Sequence, residues 1–187
     1  MAGYRAGQST ILTILLSCAH PGRCWAKVRV TSHQRARPLK YNRGVAVPFE
    51  IIEHPADVGF RAWGRTREEM FAHAALAMMT LACELEGLEE RERREIESTG
   101  ADDESLLYGW LAEILAVQDA EQMFFHRAEV TYLSPAGTPG QVRGRMYGER
   151  YDRQRHRAGT YIKAVTMHQL RVEQTPEGWR AQVYLDV

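Results

Sequence analysis

FEIIEHPADVGFRAWG, the sequence of residues 49–64, predicts two short strands joined by a rigid turn. The runs FEIIE and VGFRAWG on either side of the turn are rich in the apolar and aromatic residues that favour strands. Pro55 disfavours a helix beside His54, and Gly59 permits a close approach of the backbone just after Asp57. We therefore expect two paired strands with an imidazole and a carboxylate on the turn between them.

The pair formed by His54 and Asp57 has three interpretations. An imidazole and a carboxylate three positions apart on a fixed turn can hold a divalent cation, act as acid and base, or cap the turn through the aspartate oxygen. His-x-x-Asp is a weak pattern by itself, so these residues alone favour a plain turn over a site. A second observation is needed to decide between them.

The rest of the chain predicts two helices among further strands. A helix from Thr66 to about Cys83 begins with the capping pattern Thr-Arg-Glu-Glu and continues with apolar residues at helical spacing. A second helix is capped by Asp102 or Asp103 and carries an apolar stripe over residues 106–115. Strands are predicted at Phe124–Leu133, Gln141–Gly148, Tyr161–Glu173 and Trp179–Leu185. The charged run Glu89–Ile96 fits either a helix surface or an exposed edge strand, and we favour the strand. This order predicts an α+β domain whose mostly antiparallel sheet carries both helices on one face.

The formal net charge of zero conceals two parts of opposite character. Eight of the 24 Lys and Arg residues, and none of the 24 Asp and Glu residues, precede Glu50. The chain from Glu50 onward therefore carries 24 acids against 16 bases. Such an acidic domain is a poor candidate for direct binding to nucleic-acid phosphates. It is better suited to binding a basic protein or a cation.

Residues 1–47 form a basic leader ahead of a domain at residues 48–187. The run ILTILL at residues 11–16, preceded by Arg5, resembles the core of a secretory signal and is too short to span a bilayer. The arginine-rich, acid-free composition also fits a transit peptide. We favour a third interpretation, an incorrectly assigned start or a disordered tail, because nothing in the leader couples to the site chemistry.

The last predicted strand places a carboxylate at the end of the sequence. Apolar residues from Trp179 to Leu185 alternate with polar ones, so Asp186 is expected on the polar face at the tip of the strand. The terminal carboxylate of Val187 lies next to it in the chain. Two crowded carboxylates repel each other unless a cation or a basic group joins them. The end of the sequence is therefore a second candidate for cation binding.

Other chemical groups give weaker signals. Glu149, Arg155 and His156 form a polar cluster that is by default a solvated loop, although such loops are also common functional edges. Lys163 either extends harmlessly to water or pairs with an acid at the site. The three cysteines are too scattered for a disulfide framework or a zinc site, which fits a reducing compartment, and Cys83 is expected to be a small buried hydrophobe. No nucleophile elbow, phosphate loop or His-Glu-x-x-His motif supports an enzyme.

Five motifs within residues 48–187 together resemble those of the archease family. In chain order they are His54-Pro55-Ala56-Asp57-Val58-Gly59-Phe60; Asp103-Glu104-x-Leu106-Leu107-x-x-Trp110-Leu111-x-Glu113; Gly148-Glu149 with His156; Lys163-Ala164-Val165-Thr166; and Asp186-Val187. Each motif is weak alone, and their order over the whole domain makes the resemblance specific. The leader lies outside it.

The resemblance implies a small α+β protein of the cytoplasm that is not itself an enzyme. Such a protein activates an RtcB-type RNA ligase in tRNA splicing or RNA repair, by promoting guanylylation of the ligase's active-site histidine and multiple turnover. RNA is then contacted only indirectly. The resemblance also implies a metal site, associated with calcium, at Asp57, Asp186 and Val187. Oxygen ligands of this kind are what a hard divalent cation prefers.

Five polar residues match or nearly match polar positions of the family and are candidate site or partner contacts: His54, Glu149, Arg155, His156 and Lys163. Some relatives carry lysine at the position of Arg155. Arginine keeps the charge but presents a planar fork, which puts a lysine-specific role in question.

Two other function classes remain open from the residues. One is a metal-dependent hydrolase in which His54 is the base and the carboxylates, Asp57 among them, hold a catalytic ion. The other is an RNA-binding module, which the acidic domain disfavours.

Overall fold

The structure, a computed structural model, describes residues 48–53, 58–137 and 139–187. The leader and the turn at residues 54–57 lie outside the described residues, and so do the expectations that concern them. The described part contains seven strands and two helices: β1 (Phe49–Glu53), β2 (Val58–Gly64), α1 (Arg67–Ala82), β3 (Glu92–Gly100), α2 (Asp103–Glu121), β4 (Met123–Leu133), β5 (Gly140–Arg150), β6 (Ala164–Thr175) and β7 (Gly178–Asp186).

The strands form two antiparallel sheets, with the orders β1-β2-β7-β6 and β3-β5-β4. The predicted α+β class, with antiparallel strands and two helices, is confirmed. The sequence suggested a single sheet, whereas the structure divides the strands between two. Each helix packs against strands of both sheets, since α1 contacts β2 and β4 while α2 contacts β3 and β6. The helices therefore join the two sheets.

The burial pattern of α1 explains how one helix packs against two sheets. Its buried residues are Arg67, Met70, Phe71, Ala74, Ala75, Ala77, Met78, Met79 and Ala82. At 100° per residue, the apolar members of this set cover roughly 200° of the helix circumference, about twice the stripe of an ordinary surface helix. The many alanines also let neighbouring elements approach closely. The helices contact each other directly where Trp110 Nε1 donates to the Phe71 carbonyl at 3.3 Å.

Local hydrogen bonds fix where α1 begins. The Thr66 hydroxyl accepts from the Glu69 N–H at 3.2 Å, as the capping pattern predicts. The Glu69 carboxylate, however, accepts from the Arg65 N–H at 2.8 Å, one residue before the cap. The reciprocal half of the predicted capping box is thus displaced by one residue, and both bonds still satisfy exposed amides.

Asp102, rather than Asp103, caps α2. Its carboxylate accepts from the Ser105 N–H at 2.8 Å, and the Ser105 hydroxyl accepts from the Asp102 N–H at 3.0 Å. Asp103 and Glu104 then lie in the first turn, where negative charge suits the helix dipole. Leu106, Leu107, Trp110, Leu111, Ile114 and Leu115 are buried on the predicted stripe.

The β6–β7 hairpin positions the end of the sequence. Thr175 pairs with Gly178 at the turn, and Ala164 pairs with Asp186 at the open end. The ladder is irregular between Thr166 and Arg171, where Gln169 adopts a left-handed conformation with φ of 52°. Four residues of β6 lie opposite one residue of β7 there, so the ladder is interrupted along an edge strand of the four-stranded sheet.

Strand β2 lies on the other side of β7 and brings the first predicted motif to the same end of the sheet. Val58 pairs with Leu185, and Gly64 pairs with Trp179. On its far side Val58 pairs with Glu53 of β1. The chain on either side of residues 54–57 is therefore adjacent to the tip of β7.

Candidate functional site

Lys163 contacts the last two residues of the sequence. Its backbone N–H donates to the Asp186 carbonyl at 2.8 Å. Its ammonium group donates to the main-chain oxygen of Val187 at 2.9 Å and lies 3.6 Å from Asp186 Oδ1. The geometry favours the interpretation of Lys163 as a partner of an acid over that of a lysine extended to water.

The alternation predicted for β7 is confirmed at this end of the sheet. Val183 and Leu185 are completely buried, whereas the Asp186 side chain is 56% exposed. The Val187 side chain packs partly against the core. Asp186 therefore presents its carboxylate to solvent at the tip of a strand whose other face is anchored in the core.

The donor atoms of Asp186 and Val187 fit a hard cation in kind but not in number. Both are oxygens, which is what calcium prefers, and calcium takes six to eight oxygen ligands including water. Among the residues that the structure describes, no group of three or more His, Cys, Asp or Glu side chains is arranged to hold a metal ion. Asp57 and His54, which the sequence places with this site, lie outside the described residues.

A shallow cleft of about 210 Å³ adjoins Lys163. It lies between α2, which contributes Tyr108 and Asp119, and the start of β6, which contributes Ala164 and Val165. Burial raises the pKa of Asp119. Asp119 of α2 and Lys163 therefore line the same cleft.

A second cluster is built around the buried carboxylate of Glu149, at the end of β5. Glu149 is 3% exposed and His156 is 6% exposed. Arg155 Nη1 donates to Glu149 Oε2 at 2.7 Å, and the Glu89 N–H donates to Glu149 Oε1 at 2.9 Å. Arg91 Nε lies 3.2 Å from Oε2. Every oxygen of this carboxylate is therefore satisfied by donors from the β5–β6 loop and from the segment before β3.

The hydrogen bonds of His156 define its tautomer. The Asp152 N–H donates to Nδ1 at 2.9 Å, so Nδ1 accepts and carries no proton. Nε2 therefore carries the proton and donates it to Glu149 Oε1 at 3.1 Å. The His156 N–H also donates to the Asp152 carbonyl at 2.8 Å, which closes the loop into a tight turn.

The electrostatics of Glu149 are set by opposing effects. Burial raises its pKa. Hydrogen bonds from Arg155, from the Glu89 N–H and from His156 lower the pKa by more than burial raises it, so that it falls to about 2. Glu149 is therefore a carboxylate throughout the neutral range. It acts as the fixed negative centre that orients the groups around it.

The β5–β6 loop is also tied to the end of α1. The Gly159 N–H donates to the Ala82 carbonyl and the Thr160 N–H to the Leu81 carbonyl, both at 2.8 Å. A Cβ atom at Gly159 would meet the Leu81 carbonyl at 2.3 Å, so this close approach requires glycine. The loop that carries Arg155 and His156 thereby satisfies helix carbonyls before it reaches Lys163.

The candidate residues thus fall into two groups rather than one site. Lys163 lies with Asp186 and Val187, whereas Glu149 lies with Arg155 and His156. Sequence reasoning missed Glu89 and Arg91, which complete the second group. Their only signal was the density of alternating charge before β3, which does not identify a partner 60 residues away in the chain.

Comparison with known proteins defines the class to which this fold belongs. The solution structure of protein 1598 from Methanobacterium thermoautotrophicum matches with a TM-score of 0.65 and 32% identity, covering 75% of this chain and 99% of that one. Protein archease of Methanosarcina mazei is 37% identical over 139 residues, which is 74% of this chain and 95% of that protein. Protein archease of Methanopyrus kandleri is 39% identical over 141 residues, which is 75% of this chain and all of that protein.

The model of the Archease protein family matches residues 49–187. The chain therefore belongs to the archease family, and the resemblance found in its motifs is confirmed. In the part of the chain that the structure describes, neither helix is long and apolar enough to cross a membrane.

Proposed function

We propose that this protein is a metal-binding accessory factor that activates an RtcB-type RNA ligase in the cytoplasm. It promotes guanylylation of the ligase and multiple turnover during tRNA splicing or RNA repair, and it carries out no chemistry itself. Membership of the archease family supports the class of function. The acidic domain, with 24 acids against 16 bases from Glu50 onward, fits a protein partner and a cation better than RNA.

The observation that carries the proposal is the pairing of Val58 with Leu185. Asp57 immediately precedes Val58 in the chain and Asp186 immediately follows Leu185, so the register supports a site that joins the two aspartates. Val187 adds a third oxygen donor. The proposed ligand set is Asp57, Asp186 and Val187, with His54 beside it. The proposed ion is calcium, which accepts a site built only from oxygens and completed by water.

The chain's own residues have separate tasks in this proposal. Asp186 and Val187 hold the ion at an exposed tip, where a partner can reach it. An ion held there would supply positive charge that attracts the phosphates of the ligase's nucleotide. Lys163 fixes the main chain of Asp186 through its backbone hydrogen bond. In the cluster around Glu149, a partner can reach Arg155, Arg91 and Glu89, whose side chains are 34%, 58% and 55% exposed, whereas Glu149 and His156 are buried.

The test is reconstitution with a purified RtcB-type ligase. We expect the protein to raise the number of RNA joints formed per ligase molecule and the fraction of ligase that becomes guanylylated. The variants Asp57→Ala and Asp186→Ala should lose this gain. The matched control is Glu173→Ala, which removes an exposed acid of the same sheet that pairs with Arg180.

Full stimulation by both aspartate variants would refute the metal site. Hydrolysis of nucleotides or phosphoesters by the protein alone, lost in Asp57→Ala, would favour a hydrolase instead. Tight, salt-dependent RNA binding by residues 48–187 would favour an RNA-binding module.

A further inference from the structure

The ammonium group of Lys163 contacts oxygen atoms of both Val187 and Asp186. It donates to the Val187 oxygen at 2.9 Å and lies 3.6 Å from Asp186 Oδ1. These are two of the three residues in the proposed ligand set. We propose that Lys163 is an internal counter-ion that holds this site in the metal-free protein and is displaced when a divalent cation binds. This inference rests on the proposed metal site and adds a means of regulating it.

The ion pair between the Lys163 ammonium group and Asp186 is weak, which supports its displacement by a divalent cation. The side chains of Lys163 and Asp186 are both 56% exposed. Exposed ion pairs contribute little to stability, because both charges remain well solvated and the side chains lose conformational entropy in pairing. A divalent cation that gains several oxygen ligands can therefore replace the lysine at small cost.

The main chain at Lys163 is held independently of its side chain. The backbone N–H donates to the Asp186 carbonyl at 2.8 Å, and the next residue, Ala164, pairs with Asp186 in the sheet. The ammonium group can therefore leave without disturbing the strand that carries the acid. The flexible four-carbon stem of lysine permits this movement, whereas the strand register fixes the main chain of Asp186.

Electrostatics exclude full occupancy of the site by both cations. An ammonium group and a divalent ion that share the Val187 oxygen would lie within a few ångströms of each other and repel. Lys163 therefore raises the metal concentration that is needed to fill the site. It also partly neutralises the exposed carboxylate of Asp186 while the ion is absent.

Calcium titration of the full chain by isothermal calorimetry tests the inference. We expect Lys163→Met to tighten calcium binding by roughly three- to tenfold, as removal of an exposed like charge near the ion predicts. Lys163→Arg, which keeps the charge, should remain within about twofold of the wild type, since repulsion is retained. Raising the salt concentration to about 0.5 M should shrink the difference between wild type and Lys163→Met, because the repulsion is screened.

Arg171→Met is the matched control. Arg171 is also an exposed cation of β6, but it pairs with Gln182, four residues back from Asp186 along β7. That spacing is about 13 Å, beyond the Debye length at physiological salt, so its removal should leave calcium affinity unchanged. Lys163→Gln provides a second neutral variant should Lys163→Met fold poorly, and circular dichroism of each metal-free variant establishes folding.

The outcomes separate this inference from the proposed function. Calcium that binds wild type and Lys163→Met equally, or binds the variant more weakly, overturns the counter-ion and leaves the metal site standing. Calcium that binds neither protein overturns both. An equal gain in Lys163→Met and Arg171→Met also overturns the counter-ion, because the effect would then reflect net charge alone.

Discussion

Arg67 of α1 and Asp103 of α2 form an ion pair that is almost entirely shielded from solvent. Arg67 Nη1 lies 2.8 Å from Asp103 Oδ1, and the two side chains are only 6% and 12% exposed. Arg67 Nη2 also donates to the Ser134 carbonyl just after β4, and the guanidinium lies 5.8 Å from the centre of the Trp179 ring. One side chain thus connects the first turns of both helices to both sheets.

Removal of this arginine should destabilise the fold. We expect Arg67→Met to lower the free energy of unfolding by about 3 kcal/mol, because it leaves a shielded carboxylate and a buried carbonyl without their donor. Urea unfolding followed by circular dichroism measures the change. Arg61→Met is the control, since Arg61 pairs with Glu50 at a site where the side chains are 41% and 51% exposed. It should cost about 1 kcal/mol or less. Equal losses in the two variants would contradict a special role for the buried pair.

Glu149→Gln should destabilise the protein in a pH-dependent way. At pH 7 we expect a loss of about 3 kcal/mol, because the arginines around the site lose their buried counter-charge and His156 loses its charged hydrogen-bond acceptor. The folded-state pKa of Glu149, about 2, lies below the ordinary value near 4.5. Its stabilising contribution is therefore complete above about pH 4.5 and declines as the pH falls toward 2.

The difference in unfolding free energy between wild type and Glu149→Gln should accordingly shrink as the pH falls through this window. Urea titrations at a series of pH values measure it. Glu86→Gln, at an exposed position, should stay within about 0.5 kcal/mol of the wild type at pH 7. A difference that stays constant down to pH 2 would disprove the depressed pKa.

Calcium should stabilise the folded protein, and its removal should reverse the effect. At a calcium concentration of 100 times the dissociation constant, mass action predicts about 2.7 kcal/mol of added stability. We expect a corresponding rise in melting temperature by calorimetry that disappears on addition of a chelator. Asp186→Asn should show no rise, whereas Glu173→Gln on β6 should behave as wild type. A rise that persists in Asp186→Asn would place the ion elsewhere.

The Cys83 thiol should be unreactive in the native protein. It is 1% exposed, and burial raises its pKa to about 12. At pH 8 only about one in ten thousand of these thiols is ionised, and the thiolate is the reactive form. In a variant with Cys18→Ser and Cys24→Ser, a disulfide reagent should label one thiol per chain only after unfolding in guanidinium. Rapid labelling of the native variant would contradict this.

Features that depend on neighbouring residues were predictable from the sequence. The Thr66 cap, the apolar stripe of α2 and the alternation of β7 all follow from spacing and side-chain chemistry within one element. Cys83 was correctly expected to be buried. The family followed from the order of five motifs, none of which is decisive alone.

Features that depend on distant contacts were not predictable in the same way. The division into two sheets depends on the wide buried arc of α1. The periodicity of the helix sequence shows which residues are buried, but it does not show which strands pack against them. Strand β6 was expected from Tyr161 but begins at Ala164, because Gly159 and Thr160 hydrogen bond to the end of α1. The partners of Glu149 come from before β3, so no spacing rule could identify them.

The interruption of the β6–β7 ladder between Thr166 and Arg171 has a consequence for self-association. Strand β6 is one edge of the four-stranded sheet, and β1, the other edge, has only five residues. A long, regular edge would present a continuous row of amides to which another chain could add as a strand. The left-handed Gln169 interrupts that row. The sheet edge next to Asp186 therefore resists strand pairing with further copies of the protein.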